Sequence, residues 1–467
     1  MQLTYSRRRA LKAILLLAWP TVLEQILTTA VSYVDTAMVG RIDKYASAAV
    51  SATMTVNWLI GSCISALAIG FLSYISRAIG AKEGELAKRA AAQTVLAALV
   101  SGALFTVLTL SLAKYIPIWM RADVEIQSLA SKYFFIIYTP MLFRSAIIVF
   151  GTVLRAAGDT KTPMRVNVAT NIVNVILNFL LIFETRELSL FGYEFTMPGM
   201  GLGVVGAAVG SAVSFVVGGV WMTVSLYKSP VVSPKGMRIR PDGTILRPCL
   251  TVALPAALQM FATSLGYVAF SAMINTLGAT STAAHGIANT AESAFYIPGY
   301  GMQAAASTLI GNAYGEKNID KMRAISRMLL IIETIVMIIS GALLFTFAEN
   351  MMSLFTKDQD VIRVGATVLR MVALSEPIYG VTVIIEGIFR GVGDTLYTFF
   401  FSVIGMWGVR IFGTFITVIL LKQNLTAAWG CMIAHNVALG IMLTIRYLRG
   451  RWNPLLKKQP EKAVAGI

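Results

Sequence analysis

The stretch FGTVLRAAGDTKTP at residues 150–163 is echoed by EGIFRGVGDTLYTF at residues 386–399, and the shared Arg, Gly, Asp and Thr lie 235 positions apart. Other landmarks keep nearly the same offset. The run AWPTVLEQ around Pro20 matches ALPAALQM around Pro255, and IGAKEGE from Ile79 matches IGNAYGE from Ile310. The chain is therefore a duplication of one unit of roughly 230 residues. The Gly-Asp-Thr of each copy predicts a tight turn in which Asp and Thr cap the next helix.

Composition places the chain in the membrane. Hydrophobic residues make up 56 % of the 467 positions and charged residues 13 %, and the mean hydropathy is +0.71. A water-soluble protein of this length cannot accommodate such a balance. The bilayer core of about 30 Å needs roughly 20 helical residues. Twelve stretches qualify, at 13–38, 46–70, 90–113, 128–153, 163–183, 202–226, 246–275, 282–310, 325–347, 361–388, 396–421 and 424–448. These predict an all-α integral membrane fold.

The positive charges predict the orientation, because short loops rich in Lys and Arg stay in the cytoplasm. Placing both termini there puts most of the 39 basic residues on that side. We expect an N-lobe at 1–227 (helices 1–6), a cytoplasmic linker at 228–248, a C-lobe at 249–450 (helices 7–12) and a basic cytoplasmic tail at 451–467. Two such parallel lobes are related by a pseudo-two-fold axis along the membrane normal, with the binding site between them.

The net charge of +16 indicates attraction to anionic lipids of the inner (plasma) membrane. Nucleic acid is not an expected partner, because no basic domain stands clear of the membrane. The chain lacks the GxxxxGK[ST] motif of ATP-driven pumps and any motif for covalent or metal catalysis. We therefore expect no enzyme activity, no cofactor and a monomer.

Two acidic residues lie on one face of the predicted first helix. Glu24 and Asp35 are eleven residues apart, about three helical turns. An ionised carboxylate at mid-bilayer costs about 2.5–3.5 kcal/mol on insertion scales, so such acids indicate ion or substrate pathways. In the second half, Gln259 stands where Glu24 does, and Phe270 stands about where Asp35 does. Cation coupling is therefore predicted in the first half.

The predicted fifth helix carries a stripe of amides, at Asn167, Asn171, Asn174 and Asn178. The spacing i, i+4, i+7, i+11 places them on one face, at a depth similar to that of Asp35. Asn carbonyl oxygens are hard ligands that suit Na⁺. Asn also commonly bridges transmembrane helices. Because these four amides lie opposite a buried acid, we favour a functional cavity over a purely interhelical contact.

The second half offers a less defined polar site. Arg410 needs a counter-charge within the membrane, and Glu292 and Glu376 are candidates near mid-membrane. A structural ion pair is the favoured interpretation of Arg410. His285 is predicted to pack or hydrogen-bond rather than relay protons. Arg144 in the fourth helix is a candidate partner of Glu24 or Asp35.

Several motifs together resemble the multidrug and toxic compound extrusion (MATE) family across about residues 10–450. They are LRAAGDTKTP, FRGVGDTLYT, WPTVLEQILTTAVSYVDTAMVG, ISRAIGAKEGE, NIVNVILNFLLI and GVVGAAVGSAVS. The resemblance implies two six-helix lobes in a V shape. It also implies a secondary active transporter that exports organic cations against inward Na⁺ or H⁺ by alternating access. The alternative is a lipid-linked oligosaccharide flippase of the same superfamily.

The resemblance also carries site residues onto this chain. Asp35 matches the first-helix acid of the family and Asn174 the fifth-helix Asn. Asn178 stands at a position that is often Asp, and Ser211 at one that is often Thr. Two alternatives remain open for the coupling ion. One is Na⁺ bound by Asp35, Asn174, Asn178 and Ser211, and the other is a proton on Asp35 alone.

Overall fold

A computed structural model describes residues 6–40, 42, 44–120, 122–190 and 193–457. Residues 458–467 of the predicted basic tail lie outside this part. The helices of the first repeat are α1 (Arg7–Gly40), α2 (Lys44–Gly80), α3 (Gly84–Leu112), α4 (Ile116–Trp119), α5 (Val124–Tyr138), α6 (Met141–Ala156), α7 (Lys161–Leu181) and α8 (Gly203–Lys228). Those that follow are α9 (Gly243–Asn275), α10 (Ala279–Gly315), α11 (Ile319–Thr346), α12 (Ala348–Ser353), α13 (Gln359–Ala373), α14 (Glu376–Val392), α15 (Thr395–Val403), α16 (Phe412–Thr414), α17 (Leu425–Leu448) and α18 (Pro454–Lys457).

The long apolar helices agree with the predicted spans. In the described part of the chain, nine helices are long and apolar enough to cross a membrane. The number rises to eleven when α5 with α6 and α13 with α14 each count as one bent span. The remaining predicted span corresponds to α10, which has 37 residues but contains many polar side chains. Each of the twelve predictions therefore coincides with a helix, a bent pair or a helical run.

The two bent spans break at matching places in the repeats. The bend is 51° between α5 and α6 and 55° between α13 and α14. Pro140 lies at the first break, and Pro377 opens α14 after the second. Proline lacks the N–H that a continuous helix needs and disfavours helical backbone in the preceding residue. The sequence analysis predicted one span in each of these places and did not predict the bends.

The repeated Gly-Asp-Thr motifs form turns, as predicted. Gly158 and Gly393 have φ angles of 88° and 84°, a left-handed conformation that glycine adopts at little cost. Asp159 Oδ1 accepts a hydrogen bond of 3.0 Å from the Thr162 amide at the start of α7. Asp394 Oδ2 instead accepts from Arg446 at 2.8 Å. The predicted turns are therefore present in both copies. The predicted cap is present only in the first, through Asp159, since neither Thr160 nor Asp394 makes a side-chain cap hydrogen bond.

The chain divides into two compact units, and the division cuts α1 and α2. The N-terminal unit comprises Ile26–Phe71 and Gly84–Leu246. The C-terminal unit comprises Met1–Gln25, Leu72–Glu83 and Arg247–Ile467. The lobe boundaries expected from the sequence stay a prediction.

Within the N-terminal unit, α8 packs against α5, α6 and α7. Small residues on α8 allow this close approach. Gly206 leaves no room for a Cβ beside the Leu181 carbonyl, and a Cβ on Gly219 would lie 2.6 Å from that of Phe143. The glycines of the GVVGAAVG motif thus bring α8 against α7.

Within the C-terminal unit, α14 packs against α10, α11 and α17. One buried apolar cluster joins Ala10 and Ile14 of α1 to α10, α11 and α14. A second surrounds Phe270 and Trp429. The predicted eleventh span is not α-helical throughout: after α15 it forms π-helical segments at Ile404–Ile411 (π1) and Phe415–Leu420 (π2), with α16 between them.

Two connecting segments have definite structures. Strands β1 (Glu184–Leu190) and β2 (Tyr193–Met200) pair antiparallel between α7 and α8, a hairpin that was not predicted. The C-terminal end of the linker packs against α3, where Arg89 Nη2 lies 2.6 Å from Asp242 Oδ2. Gln93 Nε2 also donates to the Arg240 carbonyl at 2.7 Å. The end of the linker is therefore part of the N-terminal unit.

Candidate functional site

Three helices of the N-terminal unit bring Asp35 together with Asn174, Asn178 and Ser211. Asn178 Nδ2 donates a 2.8 Å hydrogen bond to Asp35 Oδ1. The Asn174 amide nitrogen lies 3.0 Å from both Asp35 carboxylate oxygens, and its oxygen accepts from Ser211 Oγ at 3.0 Å. This amide orientation follows from the neighbours, because the reverse would set an oxygen against the carboxylate. Two amides thus converge on one acid.

The geometry of this group follows from local helix packing. Asn174 and Asn178 are four residues apart on α7, so both project from the same face. A Cβ on Gly210 of α8 would lie 2.6 Å from Asn178 Oδ1. Asn178 is 1 % exposed, and its Oδ1 has no hydrogen-bond partner among the described residues. This carbonyl oxygen is therefore an available ligand beside Asp35.

An apolar cluster closes one side of the group. Met38 and Val39 follow Asp35 by about one turn, and Ile182 follows Asn178 by one turn; these three are buried together with Val204 and Ala207 of α8. Such packing keeps water from that side. Hydrogen bonds and charges act more strongly in a dry environment.

Two other predicted residues are not part of this group. Asn171 is half-buried one turn before Asn174. Glu24 belongs to the C-terminal unit. The roles predicted for both residues stay predictions.

Arg144 binds a partner that the sequence analysis missed. Its Nη1 donates to Asn57 Oδ1 at 2.7 Å, and Tyr138 donates to the same oxygen at 2.9 Å. The guanidinium also lies 5.3 Å from the Phe215 ring centre. The partner of Arg144 is thus the Asn57 amide, whereas the sequence analysis named Glu24 or Asp35. The signal that could have predicted this contact is Asn57 itself, a single Asn in the apolar second helix.

The predicted polar residues of the second half are buried in the C-terminal unit. Arg410 is 2 % exposed, Glu376 2 % and Glu292 7 %. Among the described residues, no carboxylate oxygen lies within 4.0 Å of an Arg410 nitrogen. The expected ion pair is therefore not formed. Arg410 lies in π1, whose backbone the sequence pattern did not predict, and its guanidinium stacks 4.0 Å from the Phe270 ring centre.

His285 packs between aromatic rings. Its ring lies edge-on to Phe270 at 5.6 Å and to Trp429 at 5.8 Å between centroids. The packing or hydrogen-bonding role predicted for His285 stays a prediction. Trp429, fully buried, was not among the predicted residues.

Comparisons with known proteins agree with the repeat and the fold. The profile of the family described as MatE matches residues 20–180 and 255–416, one match in each repeat. The probable multidrug resistance protein NorM of Thermotoga maritima is 28 % identical over 441 residues, which cover 94 % of this chain and 93 % of that protein. The multidrug export protein MepA of Staphylococcus aureus is 22 % identical over 455 residues, 96 % of each.

A solved structure described as MATE in the bent conformation has a TM-score of 0.86 and 23 % identity, and the match covers 97 % of each chain. This likeness shows the two-lobe, twelve-helix membrane fold. Because the family profile spans most of both repeats, the chain belongs to the MatE family of multidrug and toxic compound extrusion transporters.

Proposed function

We propose that this protein is a secondary active multidrug exporter. It couples the exit of small organic cations to the entry of Na⁺ or H⁺ by alternating access. The names of its relatives, a multidrug resistance protein and a multidrug export protein, support export. The observation that carries the coupling proposal is the Asp35 carboxylate, held by Asn174 and Asn178 inside a membrane-spanning unit.

The group around Asp35 suits either coupling ion. The Asp35 oxygens, the free carbonyl of Asn178 and the Ser211 hydroxyl are hard oxygen ligands of the kind that alkali and alkaline-earth ions take. Rotation of the Asn174 amide would add one more oxygen. A proton needs only the carboxylate, and the two amides then hold the protonated acid in place. Either ion neutralises the same charge.

Competition for that charge explains the coupling. While Asp35 is ionised, the unit attracts an organic cation. An entering Na⁺ or H⁺ removes the attraction and favours release. A ligand shifts such an equilibrium only through unequal affinity for the two states. One elementary charge crossing 100 mV adds about 2.3 kcal/mol to drive the exchange.

The proposal is tested by ethidium efflux from vesicles that contain the purified protein, with a sodium gradient or a pH gradient imposed separately. We expect the wild type to export under at least one gradient. Asp35→Asn keeps the shape of the side chain but removes its charge, so its efflux should fall to the level of empty vesicles.

Asp242→Asn is the matched control, because it makes the same chemical change in the linker, where Asp242 contacts Arg89. Its efflux should equal that of the wild type at equal protein content. Full export by Asp35→Asn would contradict the assignment of Asp35. Failure of the wild type under both gradients would contradict the proposed transport.

A further inference from the structure

The first turns of α1 present a shallow apolar groove on their exposed face. Six side chains of this one helix line the groove: Arg8, Leu11, Lys12, Leu15, Leu16 and Trp19. The four apolar side chains among them are between 38 % and 50 % exposed. Their spacing of i, i+3, i+4, i+7, i+8 and i+11 places all six on the same side of the helix. The groove is therefore a continuous strip along α1.

The opposite face of the same turns is fixed in the C-terminal unit. Ala10, Ile14 and Ala18 are 0–2 % exposed and belong to the apolar cluster that joins α1 to α10, α11 and α14. Thr21 Oγ1 also donates a 2.8 Å hydrogen bond to the Gly301 carbonyl of α10. Rotation of α1 would break this packing. The groove is therefore presented outward in one orientation.

One end of the groove is strongly positive. Exposed basic side chains occupy four positions of the first two turns, at Arg7, Arg8, Arg9 and Lys12, and the first acidic residue of the chain is Glu24. Among the residues that the structure describes, no carboxylate oxygen lies within 4.0 Å of an Arg8 or Lys12 side-chain nitrogen. Arg8 and Lys12 are four residues apart, so they are neighbours on the helix surface. A ligand for this end carries negative charge.

The length of the groove matches one leaflet of a bilayer. Arg8 and Trp19 are eleven residues apart, which corresponds to roughly 16 Å along a helix. The apolar core of a bilayer is about 30 Å thick, so one leaflet contributes roughly half of that. A lipid with its phosphate at Arg8 and Lys12 can lay an acyl chain along the leucines as far as Trp19. Charge and length therefore fit the same kind of molecule.

We propose that this face of α1 binds one anionic phospholipid, with the phosphate held by Arg8 and Lys12 and an acyl chain in the apolar part of the groove. Guanidinium and ammonium groups form charge-assisted hydrogen bonds with phosphate oxygens. A zwitterionic lipid has the same phosphate, but its own ammonium group offsets the attraction. The general attraction to anionic lipids that the net charge predicts thereby has one definite site. The proposal concerns binding and does not rest on the proposed efflux.

The test is native mass spectrometry of the purified, delipidated protein, titrated with phosphatidylglycerol or with phosphatidylcholine of the same acyl chains. We expect the tightest phosphatidylglycerol adduct to form with at least tenfold higher affinity than the phosphatidylcholine adduct. The double variant Arg8→Gln with Lys12→Gln should weaken this adduct roughly tenfold to thirtyfold, because two basic residues near the headgroup are lost. Both side chains are exposed, so the unfolding midpoint should stay that of the wild type.

The matched control is the double variant Lys235→Gln with Arg238→Gln. It removes two exposed positive charges from the linker, so the net charge falls by the same amount, and lipid binding should equal that of the wild type. Trp19→Ala tests the apolar end and keeps both charges. It should weaken the binding of phosphatidylglycerol with eighteen-carbon chains a few-fold. Phosphatidylglycerol with six-carbon chains does not reach Trp19, so its binding should be unchanged.

Each contrary result is distinct. Equal affinity for the two lipids, or equal phosphatidylglycerol binding by the wild type and the Arg8 and Lys12 variant, would overturn the proposal. A weakened adduct in the linker variant would show a response to net charge alone, which also contradicts a site on α1. Glycerol 3-phosphate serves as the headgroup without chains. If it displaces phosphatidylglycerol from the protein, the groove binds a soluble phosphate and the assignment to a lipid is wrong.

Discussion

Asn178 of α7 donates a 2.8 Å hydrogen bond to Asp35 of α1, across 143 residues of sequence. The same Asn178 side chain lies against Gly210 of α8. The Asn178 amide therefore contacts both Asp35 and α8. A change in the packing of α8 against α7 should alter the hydrogen bond to Asp35.

Removal of this amide should change ion binding more than it harms the fold. Asn178→Ala takes one charge-assisted hydrogen bond from Asp35, a bond that contributes about 1.5–3 kcal/mol. If Na⁺ is the coupling ion, loss of the Asn178 carbonyl ligand should raise the Na⁺ concentration that half-saturates ethidium efflux roughly tenfold. If H⁺ is the coupling ion, the half-saturating H⁺ concentration should instead fall by a similar factor, because the ionised carboxylate has lost a stabilising hydrogen bond. Asn350→Ala, an exposed Asn on α12, should leave it unchanged. An unaltered half-saturation value in Asn178→Ala would remove Asn178 from the site.

Addition of one methyl group should disturb the same site from the other side. A Cβ on Gly210 would come 2.6 Å from Asn178 Oδ1, so Gly210→Ala must push the amide or the helix away. We expect a lower unfolding midpoint and at least tenfold slower efflux, since overpacking costs about 1–3 kcal/mol. Gly286→Ala is the matched control, because nothing lies within 4 Å of its Cβ position. Normal efflux by Gly210→Ala would show that α8 can move aside freely.

The two left-handed glycines should differ in their tolerance of a side chain. Alanine in this conformation costs about 1–2 kcal/mol, so Gly158→Ala should lower the unfolding midpoint. Gly393→Ala should lower it further, because its Cβ would also lie 3.1 Å from Val252 Cγ2, whereas nothing lies within 4 Å at Gly158. Gly158→Asn should be milder than Gly158→Ala. Thermal unfolding in detergent measures the order, and the reverse order would contradict the turn assignment.

The two motif aspartates should also differ. Asp394 pairs with Arg446 through side chains that are 15 % and 11 % exposed, so Asp394→Asn should cost about 1.5–3 kcal/mol. Asp159 accepts a hydrogen bond from the start of α7. Asn caps helices about as well as Asp, so Asp159→Asn should shift the unfolding midpoint little. The double variant Asp394→Asn with Arg446→Gln should cost less than the sum of the two single changes; strict additivity would argue against coupling.

Helical periodicity was enough to predict the spans and to set Asn174 and Asn178 opposite Asp35, whereas Ser211 came from the family resemblance alone. The spacing of Asn174 and Asn178 places both side chains on one face of α7. Because Asp35 of α1 lies at a similar depth in the membrane, contact between them was expected. The apolar surroundings and the role of Gly210 depend on interhelical packing, which one sequence does not specify. Pro140 and Pro377 were the sequence signal for the bends, but the long apolar runs were each predicted only as one span.

The second repeat was harder to predict for a physical reason. A buried Arg was expected to attract a buried Glu, so Arg410 was paired with Glu292 or Glu376. The π-helical backbone of π1 changes the direction in which Arg410 projects, and hydrophobic patterning does not distinguish α from π helices. The stack on Phe270 therefore could not be predicted.

The π-helical run also bears on how the two copies diverged. The helical run from Thr395 to Leu420 has 26 residues, whereas its counterpart α7 has 21. Extra residues taken up by wider turns need not lengthen the crossing. A residue taken up in this way leaves the residues after it on their original face, whereas an extra residue in a regular α-helix would rotate them by about 100° around the helix axis. A single inserted codon is therefore enough to change the side chains that one copy presents at the wide turn, while the rest of that helix keeps the pattern of the other copy.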